Sequence, residues 1–258
     1  MQRRMIIRFM LSLCFARRCS AFAHHHRLAA RLYPFTTKIR LNSSSSSNSN
    51  HLVGISSLQN DFCLLRHGQS LANVAGIISS HPHVATVQHG LSDAGIQQAK
   101  RAGEHLVQYY QKHDYNGIMI LASDYKRAKE TAEIVAESCV TANLPLYQHE
   151  IILETRLRER WFGDWDGGSD EHYENVWKDD AVDPSHTVSN VESVNDVMKR
   201  TTTCILNWDK TLDNNLILLV AHGDVLQITQ TAFLKMDGSL HRTCEHLETA
   251  TLRPLMFT

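Results

Sequence analysis

Two short apolar runs, DFCLLR at 61–66 and NLILLVA at 215–221, each break off in a His-Gly step. Runs of six or seven residues are too short for buried helices and read as buried strands. A third run, GIMILAS at 117–123, ends in Ser123-Asp124. Segments of helical period lie between them. LSDAGIQQAKRAGEHLVQYY offers Ser92 as N-cap and Asp93 in the first turn, with Ile96, Ala99, Gly103 and Leu106 following at helical spacing. DYKRAKETAEIVAESC carries Ala128, Thr131, Ala132, Val135 and Cys139 along one side. Val191, Val194, Met198, Thr201 and Ile205 mark a long amphipathic helix to about Asp209, and VLQITQTAFLKM is helical too. HLETATLRPL alternates enough to predict a last, edge-like strand, while 155–187 reads as loop.

Strands alternating with helices predict an α/β fold, a three-layer α/β/α sandwich whose mostly parallel sheet has helices on both faces. Ligands of such sheets bind beyond the carboxyl ends of the strands. Arg66-His67, Ser123-Asp124 and His222-Gly223 all stand at such ends, so they should converge although far apart in the chain.

At 258 residues and 43% hydrophobic, the chain can bury one sizeable core. The net charge of −1 gives no footprint for nucleic acid or a membrane surface, but it hides an asymmetry. Residues 1–60 hold nine Lys/Arg and no Asp or Glu, which leaves 17 basic against 27 acidic residues in the remainder, a net −10. The first part has Arg3 and Arg4, an apolar run at Phe9–Ala16, the small residues CSAFA, and then a basic stretch closing on NSSSSSNSN. An apolar core with a small-residue site suggests a secretory signal; an Arg- and Ser-rich, acid-poor composition suggests a transit peptide. The two together resemble a bipartite plastid presequence, with a mitochondrial presequence as the rival. Residues 1–52 are therefore expected to be a disordered targeting presequence and Ser/Asn-rich linker, and 53–258 the folded domain. Import into an organelle follows, the plastid favoured over the mitochondrion. No stretch approaches the ~20 apolar residues of a membrane span. Cys63, Cys139, Cys204 and Cys244 are scattered with no C-x-x-C, which reads as reduced thiols.

Four fragments carry chemistry, and each alone has an ordinary reading. Arg66-His67-Gly68 with Asn73 is a polar strand end, or a nucleophile beside an anion clamp. Asn73 falls in a first helical turn, where its amide and free backbone N–H groups suit phosphate. Arg127 lies one turn into the helix after a strand, as a solvated charge or as a cation turned back toward the strand ends. Glu159 in LRERWFGDWDG (157–167) stands beside Trp161 and Phe162, and partial desolvation there raises a carboxyl toward the range of a general acid. His222 in VAHGD is a capped structural histidine, or a second imidazole at the site.

Taken in order, RHGQSLAN, LSDAGIQQA, SDYKRAKETA, LRERWFGDWDG, ESVNDVMKR and AHGD, closing on TATLRPL, resemble the histidine phosphatase superfamily, also called phosphoglycerate mutase-like, over about residues 61–255. The resemblance implies that His67 attacks phosphorus and is transiently phosphorylated, with Arg66, Arg127 and His222 around the transferring group and Asn73 helping to hold it. Glu159 matches the proton donor, which then activates water. The implied substrate is a small phosphorylated metabolite, with no cofactor, no metal and no nucleic acid.

The same family contains mutases. Ala72 stands where cofactor-dependent mutases carry Trp, and Asp224 where they carry Asn, while LRER looks mutase-like at Arg160. An acidic Asp224 opposes a second phosphate, so hydrolysis is favoured over mutase-type phosphoryl transfer. A catalytically silent phosphate- or protein-binding module is the reading from another class. Arg160, Trp161, Trp165 and the 168–186 segment are candidates for a specificity pocket, with core or surface roles equally open. His81, His83 and His89 cluster in one loop but lack a carboxylate or Cys at ligand spacing.

Overall fold

The middle of β1 (Asp61–Arg66) and the whole of β2 (Gly117–Ala122) and β4 (Asn215–Ala221) are buried, as their unbroken apolar runs require. In this computed structural model, which describes residues 49–256, they form the centre of a five-stranded sheet of order β3-β2-β4-β1-β5. β3 (Ile152–Leu153) pairs in parallel with β2 at one edge, and β5 (Leu252–Pro254) runs antiparallel to β1 at the other. The last strand is thus the edge strand its alternation predicts.

Seven α-helices are described: α1 (Leu71–Ala75), α2 (Pro82–Ala85), α3 (Asp93–Tyr110), α4 (Lys126–Thr141), α5 (Tyr173–Val182), α6 (Val194–Asp209) and α7 (Gly223–Phe233). Successive strand residues point to opposite faces, so one strand feeds two cores. Phe62, Leu64, Met119, Leu121, Ile217 and Leu219 pack with Met198 and Ile205 of α6 and Val225 and Ile228 of α7. Cys63, Leu65, Ile118, Ile120, Leu218 and Val220 pack with Ala102 and Leu106 of α3 and Ala128, Ala132 and Val135 of α4. The α/β/α layering is the one expected. The Ser92 side chain caps α3 by accepting from the N–H of Gly95, and Ser193 caps α6 by accepting from that of Asp196.

Two elements depart from the sequence reading. β3 is two residues long, too short for any alternation to show. α5 lies inside the segment read as loop, because YENVWKDDAV buries only Val176 and Asp180 and so shows no apolar stripe. The start of the folded domain also moves. Leu52 is fully buried in the core with Phe62, and the Asn50 amide donates to the Ala232 carbonyl at 2.9 Å, so packing begins ahead of the expected boundary at Val53. The expected presequence falls almost entirely outside the described residues. No helix among those described is long and apolar enough to cross a membrane.

Leu52→Ala should lower unfolding stability by about 2–5 kcal/mol, the cost of a buried Leu→Ala cavity. It would be read as a lower urea midpoint at unchanged slope.

Candidate active site

Parallel pairing of β1 with β4 sets Arg66 beside Ala221, and the His67 N–H extends the ladder by donating to the Ala221 carbonyl at 3.0 Å. The two His-Gly steps therefore leave the sheet side by side. The His67 and His222 rings lie 5.2 Å apart between centroids, inclined at 62°.

Beyond His67 the chain is pressed against the start of α3. A Cβ on Gly68 would come within 2.5 Å of the Gly95 carbonyl oxygen, and one on Gly95 within 2.1 Å of the Gln69 carbonyl oxygen. Either contact is shorter than packed atoms tolerate, so both positions need glycine for backbone to meet backbone. The Gly68 N–H donates to Thr131 Oγ at 3.1 Å, and that hydroxyl donates to the Arg127 carbonyl at 2.7 Å, which ties the loop to α4.

His67 is buried. Its Nδ1 lies 2.7 Å from the Gly68 carbonyl oxygen, which only accepts, so Nδ1 carries the proton. Nε2 keeps its lone pair and accepts from Arg127 Nε at 3.1 Å. Burial, then the charges of Arg127 and Arg66, hold the imidazole well below the ordinary histidine pKa, against an upward pull from the Gly68 carbonyl. A neutral imidazole with a free Nε2 pair is a nucleophile.

The cations around it keep unused donors. Arg127 gives Nη2–H to the Ser79 carbonyl at 2.9 Å, and Arg66 gives Nη1–H to the Leu247 carbonyl at 2.9 Å, its Nη1 also meeting His246 Nε2 at 2.9 Å. Arg127 Nη1, Arg66 Nε and His222 Nδ1 are buried with no hydrogen-bond partner among the described residues. Unpaired buried donors are rare in folded proteins, and the two guanidinium N–H groups left over beside one nucleophile suit an anion. The helices that begin here, α4 and α7, carry no side-chain cap, unlike α3 and α6, so their N-terminal partial charge is not offset by a capping oxygen.

Arg66, His67, Asn73, Arg127 and Glu159 line one cleft of about 750 Å³ including its open mouth, the size of a small-ligand site. Glu159 accepts from the Arg160 N–H at 3.0 Å. Its carboxyl is pushed up to about 7, chiefly by burial and next by the charge of Asp224, with Arg127 opposing. Glu159 also borders a second opening formed with Tyr125, Arg158 and Trp161.

Not every expected residue serves as read. His222 is fully buried and is absent from the cleft wall; its Nε2 meets Ser123 Oγ at 2.9 Å, and burial followed by Arg127 and His67 lowers its pKa well below normal. It is a neutral neighbour of His67, not a cation. The backbone N–H of Asn73 is not free, because it donates to Ser70 Oγ at 3.2 Å, while Asn73 Oδ1 accepts from Ser70. The Asn73 amide nitrogen remains for a ligand. Asp124 is taken by Arg158, whose Nε donates to it at 2.7 Å.

Arg160 does not shape the pocket. It is fully buried, donating to both carboxylate oxygens of Asp180 at 2.7 Å and to Asp224 Oδ2 at 3.1 Å. The far wall comes instead from Asp170, Tyr173 and Trp177 in the 168–186 segment, with Asp224, Arg242 and His246. Arg242 stacks over the Trp177 ring at 3.6 Å. Sequence reasoning missed Ser79, Arg242 and His246: the first and last lie in loops and Arg242 in the short helical turn Gly238–Thr243, none with a period or motif. The His81 and His83 rings lie 5.3 Å apart, tilted at 32°, His89 meets Ser79 Oγ at 2.8 Å, and no metal-holding group of three or more His, Cys, Asp or Glu occurs among the described residues.

The profile of the "Histidine phosphatase superfamily (branch 1)" matches residues 62–258. An adenosylcobalamin/alpha-ribazole phosphatase of Salmonella typhimurium is 30% identical over 184 residues, covering 68% of this chain and 80% of that one. A probable fructose-2,6-bisphosphatase of Danio rerio, TIGAR A, is 32% identical over 105 residues, 41% of this chain and 36% of its own length. A mycobacterial glucosyl-3-phosphoglycerate phosphatase solved with VO3 superposes with a TM-score of 0.59 at 25% identity, over 75% of this chain and 91% of that one. A phosphoglycerate mutase is also similar.

Arg127→Ala removes both the Nε2 partner and a charge that depresses His67. The His67 imidazole should then titrate nearer the ordinary histidine range, read by following its ring resonances with pH.

Proposed function

Because the chain belongs to the histidine phosphatase superfamily, we propose that it hydrolyses the phosphomonoester of a small metabolite through a phosphohistidine at His67. The observation that carries this reading is the pairing of a buried, neutral imidazole, its Nε2 lone pair facing Arg127, with a carboxyl protonated near neutrality in the same cleft. His67 Nε2 attacks phosphorus as the ester P–O bond breaks, and Glu159 gives its proton to the departing oxygen. The resulting carboxylate takes a proton from water, whose oxygen attacks the phosphohistidine. The P–N bond breaks, its electron pair returns to Nε2, and phosphate leaves. Arg127 Nε–H must swing from Nε2 to the phosphoryl oxygens as attack begins. There it joins Arg66 and the Asn73 amide in stabilising charge that develops in the transition state. His222 packs against the His67 ring behind the cleft wall.

Hydrolysis is preferred to mutase chemistry because the mutase-like Arg160 is committed to Asp180 and Asp224, and Asp224 presents an acid to the cleft. Relatives named for a fructose bisphosphate, an alpha-ribazole phosphate and a glucosyl-phosphoglycerate support a small phosphorylated metabolite as the substrate class. We also propose that the acid-free N-terminal segment directs import into an organelle, the plastid before the mitochondrion.

The sign of the pH dependence follows. Glu159 donates only when protonated, so turnover of poor leaving groups should be full below about pH 7 and fall as pH rises through it. His67, titrating well below the ordinary value, stays neutral over the mildly acid range.

His67→Ala should abolish turnover and any acid-labile, base-stable phosphoryl label on the protein. Glu159→Gln should slow alkyl phosphates by about 10²–10⁴, the usual share of general acid catalysis, and aryl phosphates much less. Equal losses for both would place the acid elsewhere. A fluorescent fusion of residues 1–60 should concentrate in an organelle; a diffuse cytosolic signal would end the targeting reading.

A further inference from the structure

Asp224 has no part in the chemistry just described, yet its surroundings fix it firmly. It is the second residue of α7, next to Gly223, is almost wholly buried, and still reaches the cleft wall. One oxygen accepts from Arg160 Nη1 at 3.1 Å and the other from Trp177 Nε1 at 3.0 Å. Arg242 Nη1 lies 3.7 Å away and His241 Nε2 3.8 Å away. Three elements therefore face this one carboxylate: the loop carrying Arg160, helix α5 with Trp177 and Asp180, and the turn at Gly238–Thr243 with His241 and Arg242.

The link to the proton donor runs through Arg160. Its guanidinium holds Asp224 and Asp180, while its backbone N–H holds the Glu159 carboxyl at 3.0 Å. Asp224 and Glu159 also line the same cleft. Taking Glu159 as the proton donor, as above, we propose that Asp224 is a positioning residue for it, a clamped carboxylate on the same cleft that fixes Arg160, whose backbone N–H aligns the Glu159 carboxyl. Asp224 so sets the upper pH limit of the first chemical step.

Physical chemistry gives the direction. Two carboxylates facing one low-dielectric cleft resist being ionised together. Asp224 has the close cations: burial pushes its carboxyl up, but the charge of Arg160 and its hydrogen bond, with the charge of Arg242, outweigh burial and hold the group below the ordinary range, while burial keeps the neighbouring His241 below the ordinary histidine pKa. Glu159 meets Arg127 and Arg66 less favourably, with the Tyr173 phenol on one side and Arg158, Glu192 and Arg200 around the second opening. The charge therefore stays on Asp224 and the proton on Glu159.

The test is the pH profile of kcat on an alkyl phosphate, with an aryl phosphate as control. In Asp224→Asn the limb at high pH should move down by about 1 unit, the size one neighbouring charge produces, and Asp224→Glu should leave it near the wild-type position. Arg242→Gln, at a partly exposed side chain, removes a cation beside Asp224 and should move the limb up. A purely structural role would lower kcat at every pH without moving the limb. A folded Asp224→Asn whose limb stays in place overturns the proposal. If that variant does not fold, an unmoved limb in Arg242→Gln overturns it. Failure of the underlying reading looks different: the wild-type limb would then persist in Glu159→Gln.

Discussion

Parallel hydrogen bonding between Asp61–Arg66 and Asn215–Ala221 puts two histidines, remote in the chain, at the same level of the sheet. His67 even takes its backbone partner from the strand that ends in His222. The residues that line the cleft are placed relative to that pair. β2, on the other side of β4, delivers Ser123 to His222 and starts α4 with Arg127, and β3 beside it leads into Glu159. A register slip of one residue would turn His67 toward the opposite face, and the centre would be lost although the fold's layers would remain.

Charge in the centre is distributed unevenly, and burial decides how. Both imidazoles are neutral because desolvation disfavours their charged forms and two arginines reinforce it. The same desolvation acts on Glu159 in the opposite chemical sense, keeping a proton on. Arg127 opposes that shift, but burial outweighs it, so the same desolvation leaves an imidazole neutral and a carboxyl holding its proton toward neutrality. The arginines supply the positive charge that a phosphoryl group calls for.

The three central strands and the long helices were legible because each obeys a local rule, an apolar run or a helical period. His67, Arg127, Glu159 and His222 each had an ordinary reading alone and stood out only through the ordered set of fragments that resembles a family. The upward shift of Glu159 was legible through its aromatic neighbourhood, although the charge of Asp224 adds to the shift and no local pattern announces it. Arg160 was misleading for a related reason. An arginine among Trp and Glu looks available for a ligand until Asp180, twenty residues on, is seen to occupy both ends of its guanidinium. Arg242 in the turn Gly238–Thr243 and His246 in the loop after it show no repeat, so only the tertiary fold brings them to the cleft. Leu52 was hidden by the Ser/Asn tract before it, whose composition argues linker to its last residues.

The backbone contact of Gly68 and Gly95 governs where change can enter this molecule. Neither position accepts a side chain, so the segment holding His67 cannot be re-aimed by ordinary substitution there. The opposite wall is built from side chains on α5 and on the loops around 242 and 246, where alteration leaves the sheet untouched. New substrate preferences would thus arise by rebuilding one bank of the cleft while the other stays as it is, a division between an invariant tool and an exchangeable handle.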